Sequence, residues 1–439
     1  MPRLPTGRKM SLELSLAQSL RQQFRNGLQR LRKSHFAGDA ALLMIFNLLS
    51  RAVGFFGSTY AARCLGPVNL GISALVQSTA QQVTLAYDGG FTFLGIRRIA
   101  ADKTKSQVVV ETIVAFHSYM ALIALVLWFA SVFWIAPEYQ RFAWMFGASG
   151  LIFFATNIVF VFQGFEKLPV QTVINTVGSL LTAGAYLVFF KPGMFLGADL
   201  VVISIVGSIV TVLAWGAHYR MFGYLPLGRL HWRLLAGLLR ESWRYWISVV
   251  FIGGFDFLQI PLIVYFLGTH DAGIYRAAIT LAVVPDLLFS SINALLLARL
   301  VVWRKQSLQY MWRRQSQLTV LYTLVGGALT VFLVLVMPFV ARHLLGTAFQ
   351  DSISVFQILS IARLGVFIGQ VYAYGLISAG MDKSFQWITG VSTVIGLPFM
   401  ILFISLLGII GAAIAVLCCQ TLAHILCYFS LRAHVVANN

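Results

Sequence analysis

The chain has 439 residues, of which 59% are hydrophobic and 10% charged. Soluble proteins carry about 25% charged residues, and disordered chains are more polar still, so both classes are excluded. A membrane-crossing helix takes about 20 residues, which leaves room for about a dozen crossings and little else. The net charge is +18, from 32 Lys+Arg against 14 Asp+Glu. In a soluble protein that excess would point to nucleic acid. In a membrane protein it belongs on the side of the bilayer that retains basic loops. Cys64, Cys418, Cys419 and Cys427 lie in apolar segments without metal-ligand spacing and read as small core residues.

In chain order, residues 1–39 form a polar arm, whose first 38 residues hold eight Lys/Arg and one acid, Glu13. Leu16, Leu20, Phe24, Leu28 and Leu31 recur at helical spacing. That stripe fits an amphipathic helix on the anionic cytoplasmic leaflet. A basic tail that sets topology by charge alone fits equally well. Twelve apolar segments follow, at 40–62, 68–95, 107–135, 142–164, 168–190, 197–219, 243–267, 272–298, 316–341, 353–380, 384–407 and 409–430. A basic linker at 220–242 divides them six and six, and 431–439 is a short tail. Threaded this way, 25 Lys/Arg fall on one side and five on the other, with Arg51 and Arg363 inside spans. The asymmetry predicts both termini in the cytoplasm, and it explains the net charge without nucleic acid. No GxxxxGK(S/T) loop is present, which argues against ATP hydrolysis.

The two halves resemble each other. Leu65-Gly66-Pro67-Val68-Asn69-Leu70-Gly71-Ile72 matches Leu267-Gly268-Thr269-His270-Asp271-Ala272-Gly273-Ile274 at an offset of 202, and Arg97 and Arg299 keep that offset. Gly164-Phe165-Glu166-Lys167 matches Gly380-Met381-Asp382-Lys383 at an offset of 216. Six spans per half is an even number, so both halves enter the membrane in the same sense. The expected fold is all-α and polytopic: twelve transmembrane helices in two six-helix lobes, 40–219 and 243–430, related by an axis along the membrane normal. Such lobes enclose a central cavity and rock to give alternating access.

The run Ser50-Arg51, Ala61-Ala62-Arg63-Cys64-Leu65-Gly66-Pro67, Gly71, Asp88-Gly89-Gly90 and Arg97-Arg98-Ile99-Ala100 resembles the opening of polysaccharide-transport flippases of the multidrug/oligosaccharidyl-lipid/polysaccharide exporter superfamily. Asp256, Leu267-Gly268, Gly273-Ile274-Tyr275-Arg276-Ala277-Ala278 and the terminal Gly408-Ile409-Ile410-Gly411-Ala412-Ala413-Ile414-Ala415 extend the likeness over about residues 40–430. Where other members carry an acid beside the span-two glycine, this chain has Asn69. The resemblance implies a V-shaped two-lobed fold in the bacterial inner membrane. It also implies a function: moving undecaprenyl-diphosphate-linked oligosaccharide from the inner to the outer leaflet for surface polysaccharides such as O-antigen, without catalysis. Its implied partners are that lipid-linked glycan, membrane lipid, and the polymerase and glycosyltransferases of the same assembly.

An anionic diphosphate and its sugars cannot cross hydrocarbon unaided. A flippase needs a hydrated cavity with cations at mid-depth. Arg51 and Arg363 are the candidate substrate-binding cations, with Asn47 one turn before Arg51 and Gln370 on the helical face of Arg363. Each Arg reads equally as the partner of a buried carboxylate. Asp256, sharing a face with Gln259, and Asp286, after Pro285, are the mid-span acids, and either pairs with an Arg or binds a coupling H+ or Na+. Asp88 reads as a coupling group or as part of a loosened helix end with Gly89 and Gly90. No cofactor or metal site is expected. Two other functions compete. A drug or metabolite exporter of the same superfamily would prefer cations, which two intramembrane Arg disfavour. A lipid-linked glycan polymerase or ligase would need an external catalytic loop, and the loops are too short.

Overall fold

The computed structural model describes residues 35–437 except 105, 135 and 228–229, and describes no side chain at 35–47, 244, 245, 248, 252, 283, 285–295, 297, 298 or 301. The N-terminal arm therefore lies largely outside the described residues. Met1–Leu49 and Ser50–Asn439 are two separate compact units. The second unit carries the fold and the candidate site, and α1 is traced from its first described residue.

Every regular element is helical among the described residues. They are α1 (His35–Asp88), α2 (Phe91–Ala101), α3 (Ser106–Trp134), α4 (Arg141–Gly147), α5 (Ser149–Ala155), α6 (Val159–Gly164), α7 (Leu168–Phe189), α8 (Ala198–Phe222), α9 (Trp232–Leu267), α10 (Thr269–Gln306), α11 (Leu308–Leu344), α12 (Ser352–Ser378) and α13 (Asp382–Ala437). Eight are long and apolar enough to cross a membrane, counting Glu138–Gly164 as one broken run. The coarse expectation, an all-α polytopic membrane protein, is therefore met.

Several boundaries differ from those expected, each for a physical reason. α1 runs 54 residues and α13 56, about 80 Å each at 1.5 Å per residue. Both bend sharply at a glycine. Gly66 has φ 76, ψ 169 and Gly408 has φ 63, ψ −142, values that a side chain resists. Pro67 then restarts the helix at the first-turn position, where its missing N–H costs nothing. Gly268, 202 residues after Gly66, takes nearly the same backbone at φ 98, ψ 177 and separates α9 from α10. The helix expected from 142 to 164 is instead three pieces. At its second break, Thr156 Oγ1 donates to the Ile152 carbonyl and Asn157 Oδ1 accepts from the Val159 amide. Those local bonds compete with the helical ladder. Trp215 Nε1 takes the freed Thr156 carbonyl at 2.9 Å. Finally, α9 begins at Trp232, inside the stretch expected to be the 220–242 linker.

Two sets of cores result. One gathers α9 to α13 around Ile263, Tyr275, Leu281, Phe356 and Met400, and takes in Ala62 and Ala74 of α1. Others join α1 to α8, around Phe91, Ile113 and Phe162 with Leu235 and Leu238 of α9, and around Val76, Trp128 and Leu151. The sets meet along α1. Gln82 Nε2 donates to the Phe257 carbonyl at 2.8 Å and Trp246 Nε1 to the Leu85 carbonyl at 2.9 Å. Arg98 pairs with Glu241 nearby.

The tightest approach lies between the duplicated motifs. A Cβ on Gly71 would collide with the Thr269 carbonyl oxygen, and one on Gly273 with the Pro67 carbonyl oxygen. Because 71 and 273, and 67 and 269, are each 202 apart, the contact is reciprocal: each repeat presents its glycine to the other repeat's backbone. Only glycine allows two helix backbones to come this close. Gly273→Ala should therefore lower stability by about 1–3 kcal/mol, the usual cost of overpacking. Gly254→Ala, whose Cβ would meet nothing within 4 Å, should leave stability unchanged or raise it by up to about 1 kcal/mol. Thermal unfolding of the two variants in detergent checks the contrast.

Candidate functional site

Arg51 lies on α1 fifteen residues before the Gly66 bend, about 22 Å along the helix. Its side chain is exposed. Phe55, one turn on and on the same face, packs against the α9–α13 core, as does Ala62. The stripe that seals α1 against the C-terminal helices thus runs through Phe55 and stops before Arg51. At Gly54, an added Cβ would meet nothing within 4 Å. A charge facing acyl chains in a membrane-spanning segment is costly.

Asp256 is also exposed. It lies on α9 twelve residues before Gly268, and neighbouring Gly254 borders open space. Its carboxylate Oδ1 accepts from Gln259 Nε2 at 3.2 Å, and Gln259 Oε1 accepts from the Tyr275 hydroxyl at 2.8 Å. Gln259 and Tyr275 are buried. Arg363 of α12 is half-buried, and its charge, like that of Asp256, acts on the Tyr275 hydroxyl. Asp256 also acts on the Cys419 thiol of α13, which donates to the Ser392 carbonyl. Four helices thus contribute to one polar neighbourhood, with an exposed carboxylate at its edge.

The remaining expected residues lie elsewhere. Asp88 is 4% exposed. Its Oδ2 accepts from the Gly90 amide at 3.1 Å and its Oδ1 from Thr92 Oγ1 at 2.8 Å. It caps the turn that starts α2, where Gly89 and Gly90 have φ 61 and 74. His117 Nε2 sits 3.2 Å from its backbone carbonyl oxygen. Gln370 is half-buried two turns beyond Arg363. The side chains of Asn47 and Asp286 lie outside the described residues.

A second polar group escaped sequence reasoning. Asp199, at the start of α8, is 5% exposed. Ser73 Oγ donates to its Oδ1 at 2.7 Å and Gln77 Nε2 to its Oδ2 at 3.4 Å. Arg276 of α10 donates from Nη2 to Gln77 Oε1 at 3.4 Å. In the sequence Asp199 and Arg276 lie near the ends of the predicted spans 197–219 and 272–298. No periodicity links an acid on α8 to a base on α10. Only the repeated glycines, which bring α1 and α10 together, hinted at it.

In the α9–α10 cluster, Gln259→Leu should strand the Tyr275 hydroxyl and lower stability by about 1–3 kcal/mol. Tyr275→Phe, which removes only the donor, should cost about 1 kcal/mol. Thermal unfolding of both variants gives the comparison.

The family model described as "Polysaccharide biosynthesis protein" matches residues 36–298. A "Putative O-antigen transporter" of Escherichia coli (strain K12) is 23% identical over 396 residues, covering 87% of this chain and 91% of that protein. Among solved structures, an inward-facing multidrug resistance MATE family transporter of the MOP superfamily superposes with TM-score 0.72 at 15% identity, over 90% of this chain and 98% of its own. The lipid II flippase MurJ in an inward closed conformation gives TM-score 0.72 at 11% identity, over 89% of this chain and 87% of its own. These likenesses establish a shared fold.

Proposed function

The chain belongs to the polysaccharide biosynthesis protein family, and from that membership we propose that it is a flippase carrying undecaprenyl-diphosphate-linked oligosaccharide from the inner to the outer leaflet of the bacterial inner membrane. It acts as a transporter and performs no catalysis. The relative in E. coli bears an O-antigen transporter's name, and the fold is shared with a drug transporter and a lipid flippase. The reading carries twelve spans in two six-helix lobes with both termini in the cytoplasm; the bends of α1 at Gly66 and α13 at Gly408 and the basic loops at one end support it. The reciprocal contact of Gly71 and Gly273 supports a two-fold relation between the lobes. It closes the external end and leaves the Arg51 level open.

Exposed Arg51 carries the reading. It offers fixed positive charge to a diphosphate entering from the cytoplasm, and Arg363 with Gln370 offers a second contact on the facing lobe. Asn47, four residues before Arg51 in the chain, is assigned the same role. The polyprenyl tail stays in lipid while the headgroup crosses. The cell interior is negative, so outward movement of an anion is downhill by about 2.3 kcal/mol per charge per 100 mV. H+ or Na+ at Asp256 or Asp286 then serves to reset the empty carrier. The polymerase and glycosyltransferases of surface polysaccharide assembly consume and supply the glycan.

Arg51→Ala should reduce surface polysaccharide at least about tenfold, the scale of one lost hydrogen bond between charged groups, and cytoplasm-facing lipid-linked glycan should accumulate. Arg51→Lys should retain part of the activity. Immunoblots of surface glycan beside blots of the transporter make the test. Normal export by Arg51→Ala at normal protein levels removes Arg51 from the site.

A further inference from the structure

The reciprocal glycine contact is symmetric, but the polar group beside it is not. Ser73 and Gln77 of α1 have Tyr275 and Ile279 at the matching positions of α10, and Arg276 has Ala74 at its own. Asp199 comes from α8, and the Tyr186 hydroxyl of α7 lies in the electrostatic field of both Asp199 and Arg276. The side-chain donors to Asp199 both come from α1, and the charge that faces it through Gln77 comes from α10. Gln77 is eleven residues past Gly66 and Arg276 eight past Gly268. The network therefore lies just inside the glycine contact, between it and the open level of Arg51 and Asp256.

Glycine contacts hold helices by dispersion alone and part without leaving a charge behind. A buried carboxylate facing a half-buried guanidinium through a shared amide behaves differently. Parting α1 from α10 strips Arg276 of its Gln77 acceptor and Asp199 of its counter-charge. Each must then find water. We propose that Asp199, Gln77 and Arg276 form a one-sided lock that holds the external seal shut, so that opening requires hydration of this network. The lock sets the balance between the closed and open external gate, while the duplicated glycines set only its shape. The lock rests on the alternating-access reading of the function.

The test is thiol labelling in lipid nanodiscs, where both membrane faces are open to reagent and orientation does not matter. The reporter is Ala74→Cys, a residue 3% exposed that packs into the α9–α13 core across the seal. A membrane-impermeant maleimide is the probe, and peptide mapping separates residue 74 from the native cysteines Cys64, Cys418, Cys419 and Cys427. Labelling should be slow in the reporter alone. Asp199→Asn and Arg276→Gln should each accelerate it about tenfold or more, the scale of a lost hydrogen bond between charged groups. The double variant should label no faster than either single one, because one lock can be broken only once. Unchanged labelling in the single variants, or effects that multiply in the double, overturns the lock. The assay contains no substrate. Loss of flippase activity in the native chain's own transport assay would sink the functional reading without moving these rates, and unchanged rates would sink the lock without touching the function.

Discussion

A guanidinium in hydrocarbon costs about 2.5–3.5 kcal/mol on insertion scales, and that constraint gives the structure its functional meaning. Arg51 is mid-helix, exposed, and on the face that packs the C-terminal helices one turn later. Asp256 is exposed at a comparable depth on the opposing α9. Neither charge is buried, and the proposed flippase reading gives both a hydrated gap to face. The apolar surfaces that α1 and α9 turn elsewhere belong to lipid, as with Phe56 and Tyr265, which are 58% and 81% exposed.

The gap is bounded by backbone geometry. Gly66 and Gly268 bend the chain in the same way at equivalent points of the two repeats. That places Gly71 and Gly273 face to face, close enough that each excludes any side chain on the other. Nearer Arg51, Gly57 packs closely against Ala183 of α7 instead. α9 stays tied to α1 through Gln82, Leu85 and Trp246. The same duplication that builds the fold therefore closes one end of the gap. What it does not supply, the Asp199–Gln77–Arg276 group, lies in only one copy.

Much of this was legible in the sequence because hydropathy, glycine and charge report on single helices and single turns. The all-α polytopic class, the bends at Gly66 and Gly268, and the mid-span Arg and Asp all belong to that level. The turn at Asp88-Gly89-Gly90 was legible too, since an acid-Gly-Gly string turns whichever helices surround it. The breaks around Thr156 and Asn157 were not, because a mid-span hydroxyl and amide disturb hydropathy little while diverting backbone bonds. The start of α9 at Trp232 was masked by basic residues that read as a loop. Asp199 and Arg276 were missed for a different reason. Their partners are set by which helices meet, and a linear pattern carries no record of that.

The most direct measurement is the environment of position 51. A spin label at Arg51→Cys, with one at Phe56→Cys as the lipid-facing contrast, can be read for collision with a water-soluble nickel complex and with oxygen in a bilayer. With a hydrated gap beside α1, the label at 51 is reached mainly by the nickel complex and the one at 56 mainly by oxygen. If the label at 51 collides with oxygen as the one at 56 does, Arg51 faces acyl chains, and no hydrated passage for an acidic headgroup exists there.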